Sequence, residues 1–346
     1  MSISTDILRV AIAVLGLLLL ATTGALVAHG AWHAQRTRRL APRIAHLHAT
    51  FVQLAAGEQT DEAPREALRG VPLTIQLEQL ADLLPSVSGP EAARLRDAID
   101  TPRLLARARR RCGSRRWRRR LHGVRILALL DSGEQIVPAL LADPRGEVQA
   151  AAAEWAGEHP SPPVIERLLE MLHNAAPFTR FTVMDALVRL GPAAAPALAQ
   201  AIADGAPASA LEVAARIGDP RLRLAVRARL HDADPAVRAW AGRLLGALGD
   251  QDDAAATIDL LADPDATVRA AAAVALGRLG YWPATAALAQ RLRDPAWEVR
   301  RNAAHALRTL GAPGRLMLER ALRDSDAFAR DIAQQTLELP EAALPT

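Results

Sequence analysis

The sequence of 346 residues has no lysine, a single cysteine and only 3% aromatic residues. Each shortage excludes something. One cysteine, Cys112, leaves no internal disulfide framework and no cysteine-based zinc site. Half of the chain is hydrophobic, but with one Tyr and four Phe the core must be built from Leu, Ala and Val. That suits closely packed helices and disfavours sheets, which draw on aromatic and β-branched side chains. Acid is missing locally, since residues 101–125 carry eleven Arg and neither Asp nor Glu. Residues 131–346 carry 22 Arg against 28 acids, so the formal net charge of +4 combines a basic collar with a mildly acidic body. The sequence also has no Gly-rich phosphate loop following a strand and no serine elbow motif.

What is present begins with a run of 19 uncharged residues from Val10 to Ala28, which continues without Asp, Glu or Arg to Gln35. At about 1.5 Å per residue such a helix comes close to spanning a hydrocarbon core of about 30 Å, and the extension completes it. Trp32 falls at the interface of this span. The alternative is a cleaved signal peptide, with a weak cleavage site at Thr23-Gly24-Ala25. Against it, Arg36, Arg38, Arg39 and Arg43 follow the run, whereas the one Arg before it is offset by Asp6. The same asymmetry keeps the arginine-rich flank in the cytoplasm. The expectation is a single-pass protein of the inner (cytoplasmic) membrane, N-terminus outside and all that follows cytoplasmic.

Beyond the span, Ile44, Leu47, Phe51 and Leu54 share one helical face, and Leu73, Leu77, Leu80 and Leu84 another. Further helices open near Ser88-Gly89-Pro90-Glu91 and at Thr101-Pro102. The expected organisation is a tail at 1–9, a transmembrane helix at 10–31 and a helical neck at 32–100. A basic collar with a degenerate first repeat follows at 101–130, then a repeat array at 131–339 and a tail at 340–346.

Internal repetition dominates the array. The segments LLADPDATVRAAAAVALGRLG (260–280) and RLRDPAWEVRRNAAHALRTLG (291–311) are its clearest copies. Anchors six residues after the Asp recur at 149, 180, 210, 238, 269, 300 and 330. A short first helix ends at Asp-Pro, because the residue before Pro avoids the helical region. Small or apolar residues then stripe a second helix, as Val268, Ala272, Ala273, Leu276 and Leu279 do. The glycines at 191, 218, 249, 280 and 311 end the second helices. A unit of this size cannot bury its stripe alone, so the units stack.

An Asp six residues before an Arg recurs at Asp232/Arg238, Asp263/Arg269, Asp294/Arg300 and Asp324/Arg330, with that Asp followed by Pro and that Arg preceded by Val at Asp263/Arg269 and Asp294/Arg300. On these residues, over about 102–338, the chain resembles the HEAT family, in particular the short HEAT-like repeats associated with phycobilisome lyases. The resemblance implies an all-α fold, a right-handed α-solenoid of seven or eight two-helix repeats after the membrane helix. It also implies that the Asp and Arg residues form a structural ladder of hydrogen-bonded pairs. Gln149, Asn174 and Ala210 depart from the pattern, so the ladder is expected to break in the first and third copies.

Function is expected to be binding rather than catalysis, with no cofactor and no metal. His29 and His33 stand at i,i+4 without a third ligand, and His46 and His48 point apart. Cys112, flanked by arginines, is expected to have a lowered pKa. The collar residues Arg109, Arg110, Arg111, Arg115, Arg116, Arg118, Arg119 and Arg120 form a solvated face, or contact anionic lipid or an acidic protein. Nucleic acid is disfavoured by the net acidity of the repeats. Solvent-facing positions of the second helices differ between copies, at Asp185, Arg189, Trp240, Arg243, Arg278, Arg301, Asn302 and His305. They are the candidate partner-binding residues, with Trp240 as an exposed anchor. The reading is a membrane-tethered scaffold or adaptor for a protein partner in an inner-membrane assembly. A chromophore lyase-like enzyme is an alternative that rests only on the resemblance.

Overall fold

The computed structural model describes residues 15, 17–24, 40–58, 66–87, 89–99, 101–174 and 176–339. Most of the expected span at 10–31 therefore lies outside the described residues. Its described part, α1 (17–24), is helical and exposes Leu17 to Leu20. Among the described residues no single helix is long and apolar enough to cross a membrane.

The chain divides into two compact units, 1–111 with 125–132, and 112–124 with 133–346. In the first, α2 (40–55), α3 (Leu73–Leu83), α4 (Gly89–Asp97) and most of α5 (Thr101–Cys112) appear where the apolar faces and Pro-containing starts place them. Leu47, Phe51 and Leu54 are buried, as are Leu77 and Leu80, while Ile44, Leu73 and Leu84 are half-buried. Arg94 Nη2 donates to the Ala55 carbonyl at 2.8 Å, closing the end of α2. The helix α6 (Trp117–Leu129) follows a turn at Gly113.

The second unit holds seven helix pairs among its described residues. These are α7 (Val137–Leu140) with α8 (Gly146–Ala156), α9 (Pro162–Asn174) with α10 (Pro177–Leu190), and α11 (Ala195–Ala203) with α12 (Ala208–Ile217). Next come α13 (Arg223–Arg227) with α14 (Pro235–Leu248), and α15 (Gln251–Thr257) with α16 (Ala266–Arg278). The last are α17 (Thr285–Gln290) with α18 (Trp297–Thr309), and α19 (Ala312–Ala321) with α20 (Ala327–Glu338). Every anchor position falls on a second helix, and successive second helices pack against one another as one layer. The arrangement is that of an α-solenoid.

The local causes are visible. Asp263 and Asp294 precede prolines and take extended conformations, φ −59° and −61°, which stop the preceding 3-10 turns. Asp234, Asp265 and Asp326 then cap the second helices by accepting backbone N–H groups. In α16, Val268, Ala270 to Ala273, Ala275 and Leu276 are buried. This helix is enclosed on more than one face because it packs on its own first helix and on second helices to either side. Second helices approach closely at two glycines: a Cβ on Gly277 would lie 2.9 Å from the Ala306 Cα, and one on Gly246 2.7 Å from the Ala275 Cα. Gly249 ends α14 without the left-handed conformation: its φ is −82°, and it is small because a Cβ there would meet the Leu245 carbonyl and Asp253.

Candidate protein-binding face

Each ladder arginine does two things. Nη1 of Arg269 donates to the Asp263 and Pro264 carbonyls of its own repeat, at 2.8 and 3.0 Å. Its Nε and Nη2 donate to both oxygens of Asp294 in the next repeat, at 2.7 and 2.8 Å. Arg238 repeats this on the Asp232 and Ala233 carbonyls and on the Asp263 carboxylate. The expected pairs are thereby corrected. Arg269 is the partner of Asp294, not of Asp263, because a guanidinium that reaches back to main chain at i−6 directs its other edge forward. Each carboxylate also accepts the N–H two residues on, as Asp263 does from Asp265 at 2.9 Å. The Arg238 hydrogen bonds hold the Asp263 carboxyl below its ordinary pKa against the opposing effect of burial.

The end of the ladder differs. Arg300 holds the Asp294 and Pro295 carbonyls, but its guanidinium lies over the Phe328 ring at 4.5 Å. Asp324 is bound instead by Arg293, at 3.0 and 2.7 Å. Arg330 holds the Asp324 and Ser325 carbonyls and makes no ion pair among the described residues. The break expected at Ala210 is filled, since Arg229 donates to Asp232 at 2.8 Å and to the Ile202 and Ala206 carbonyls. The break at Gln149 and Asn174 is real and opens a cleft of about 410 Å³, lined by both amides with Arg167, Glu170 and His173.

The collar loses one member to this framework. Arg120 binds both oxygens of buried Asp143, at 2.6 and 2.8 Å, and the Ser114 and Arg115 carbonyls. It is a ladder arginine, not a surface cation. Its repeat position was concealed in the sequence by the arginines around it. Arg115, Arg116, Arg118 and Arg119 are exposed, and Arg118 lies 5.4 Å from the Trp117 ring. On α5, Arg109 and Arg110 are exposed and Arg111 is half-buried. Cys112 ends α5 and contradicts the expected lowering of its pKa. Burial pushes its thiol up to about 11, outweighing a backbone hydrogen bond that acts the other way. Neighbouring arginines in sequence do not help a thiol that faces the core.

The eight candidate partner-binding residues stand on second helices in separate groups. Asp185 and Arg189 form an ion pair at 3.3 Å on α10. Arg189 also reaches Glu158 on the loop after α8, and Arg216 of α12 approaches Asp185 at 3.7 Å. On α14, Arg243 lies over the Trp240 ring at 5.3 Å. Trp240 is half-buried rather than fully exposed, because Arg243 covers part of it. Arg278 on α16 is exposed. On α18, Arg301 lies over the Trp297 ring at 4.6 Å, and Asn302 Nδ2 donates to the Ala270 carbonyl at 3.3 Å. Burial, then Arg301 and Arg308, lower the His305 pKa, which keeps its ring neutral near pH 7. The sequence reading missed a row of exposed aromatics at the starts of second helices: Phe178 and Phe181 on α10, Trp297 on α18 and Phe328 on α20. Their signal was an aromatic within three residues of an anchor, in a chain with so few.

His29 and His33 lie outside the described residues. His48 Nδ1 is 3.1 Å from Gln79 Oε1. Among the described residues no group of three or more His, Cys, Asp or Glu is placed to hold a metal.

A family model described as HEAT repeats matches residues 133–210, 206–272 and 254–338, together well over half of the chain. The first degenerate copy expected at 102–130 lies outside these matches. Among solved structures, Kap121p bound to Pho4p is 12% identical with a TM-score of 0.43, over 85% of this chain and 45% of that one. The chain thus spans less than half the length of Kap121p. The complex of CpcE and CpcF of phycocyanin lyase from Nostoc sp. PCC7120 is 22% identical with a TM-score of 0.32, over 51% of this chain and all of that one. An engineered protein is 20% identical with a TM-score of 0.29, over 84% and 83% of the two chains. No curated protein matches the sequence.

Proposed function

The chain belongs to the HEAT-repeat family, and from that premise we propose that it is a membrane-tethered cytoplasmic scaffold. Its second-helix layer binds a protein partner, and it carries out no catalysis of its own. The observation that supports the reading best is the pair of arginine-capped tryptophans on the second-helix layer, Trp240 with Arg243 and Trp297 with Arg301. A tryptophan that keeps exposed area beside a stacked guanidinium offers apolar area and charge-assisted hydrogen bonds together, the composition of interface hot spots. The ion-paired Asp185, Arg189 and Arg216 supply a polar rim.

The tether rests on the uncharged run from Val10 to Ala28 and the four arginines after it. It places the protein in the inner membrane with the repeats in the cytoplasm, and raises its effective concentration for partners in the same membrane. The lyase alternative rests on the resemblance of the repeats alone. The net acidity of residues 131–346 disfavours nucleic acid.

The test is a photo-crosslinker placed at Arg243 and, separately, at exposed Arg320 on the first-helix layer, in native membranes. A discrete protein adduct from 243 alone, weakened by Trp240→Ala by about 2 kcal/mol in partner affinity, is the expected result. The same adducts from both positions would remove the second-helix layer as the working face. A C-terminal reporter that reads as periplasmic would remove the tether and its orientation.

A further inference from the structure

The first unit contains a cleft that the scaffold reading does not use. A cleft of about 420 Å³ lies between α3 and α5. Ile99 and Leu104, both buried, line it together with half-buried Leu73. Arg103, Arg107 and Arg110 also line it, at i, i+4 and i+7 of one α5 face. That spacing places successive guanidinium groups in one row along the helix. Arg107 and Arg110 are exposed and make no ion pair among the described residues, and none of the residues that line the cleft is acidic.

Two neighbouring cations, Arg107 and Arg110, with no counter-charge among the described residues and beside an apolar recess, are complementary to a ligand that carries an anion on an aliphatic body. Guanidinium groups bind phosphate oxygens in bidentate fashion. The aliphatic recess matches hydrocarbon, and no aromatic ring lines the cleft to stack a base. The first unit also follows the uncharged run along the chain: the described part of α2 starts at residue 40, twelve residues after Ala28, a length of chain that reaches at most about 40 Å. We infer that this cleft binds the phosphate of an anionic phospholipid between Arg107 and Arg110, with the glycerol and first methylenes of the lipid against Leu73, Ile99 and Leu104. The choice of a lipid over other amphiphilic anions rests on the tether half of the proposed function. It does not depend on a protein partner at the repeats.

The experiment uses the full chain in neutral maltoside micelles. Isothermal calorimetry follows titration with dioctanoyl phosphatidylglycerol, dioctanoyl phosphatidylcholine and inorganic phosphate. The phosphatidylglycerol is expected to bind about tenfold or more tightly than either of the others, since only it offers a net anion and a hydrocarbon body together. Arg107→Gln with Arg110→Gln should weaken it about tenfold. So should Ala106→Glu, which adds a carboxylate at an exposed position in the mouth of the cleft without touching the core. Arg118→Gln with Arg119→Gln, outside the cleft, should change it less than about twofold. The inference is overturned if the two arginine pairs weaken binding equally, if phosphate binds as tightly as the lipid, or if the zwitterionic lipid binds as well as the anionic one. Alkaline extraction of the same chain from membranes separates the two readings. A chain that washes free yet binds phosphatidylglycerol loses the tether and keeps the site, and a chain that stays yet ignores the lipid does the reverse.

Discussion

Two stretches of one solenoid solve the same junction differently. Between α14 and α18, Arg238 and Arg269 join each second helix to the Asp that begins the next, with carboxylate side chains at most 7% exposed. Between α8 and α10, Gln149 and Asn174 stand in the equivalent places, and a cleft of about 410 Å³ replaces the rung. A guanidinium that satisfies two carbonyls and a buried carboxylate closes the seam between repeats. An amide has the donors for part of this and no charge to hold the remainder. The comparison separates what stacking itself supplies, which both junctions have in buried Ala, Val and Leu, from what the rung adds.

The largest expected effect is the loss of a rung. Arg269→Ala should destabilise by about 3 kcal/mol, because buried Asp294 loses both guanidinium hydrogen bonds and keeps only the more distant Arg291, at 3.8 Å, as a counter-charge. Gln149→Ala at the open junction should cost no more than about 0.5 kcal/mol. Urea unfolding of the two variants decides it, and equal costs would mean that the rungs add nothing to the seam. A smaller effect of opposite sign comes from installing the missing rung. Gln149→Arg with Asn174→Asp should stabilise by about 1 kcal/mol and slow hydrogen exchange in α9 and α10, while Asn174→Asp alone should not stabilise. If the double variant is no more stable than wild type, the geometry at this junction excludes a rung for reasons other than residue type.

The smallest effect is in acid. The Arg238 hydrogen bonds lower the folded pKa of Asp263 below its usual value of about 4. A lowered folded pKa means that the stability contributed is fully present above the unfolded value and is lost as pH falls through the folded one. As pH falls below about 4, exchange should therefore rise first in α14 to α18, with α8 to α10 less affected. The reverse order would show that the rungs are not the acid-sensitive part of the stack.

The repeat architecture was readable from the chain because its causes are local. Asp-Pro stops a helix wherever it stands, and an Ala/Leu stripe identifies a buried face, so seven second helices appear where seven anchors were counted. The neck helices were readable for the same reason, from apolar spacing and prolines at helix starts. Pairings across junctions were less so. Sequence gave no means to decide whether Arg269 turns to its own Asp or to the next, since both distances along the chain are fixed by the repeat. Arg120 was hidden among similar neighbours, and Cys112 was judged by residues that flank it in sequence but not in space. Of the candidate face, the positions on second helices were legible and the groupings were not. Trp240 is half-buried under Arg243, and Arg301 stacks on Trp297, which no repeat position marks.

Asp232 has a consequence for how such a chain changes over generations. Its rung comes from Arg229, on the turn after α13, while the anchor position of the preceding repeat is Ala210. The requirement is a guanidinium at a place, and more than one position along the chain can supply it. An ancestor that carried both arginines would have been free to lose either without stranding the carboxylate. Drift can therefore erase a repeat's signature while leaving its bond intact, and copies that a motif search passes over still hold their neighbours.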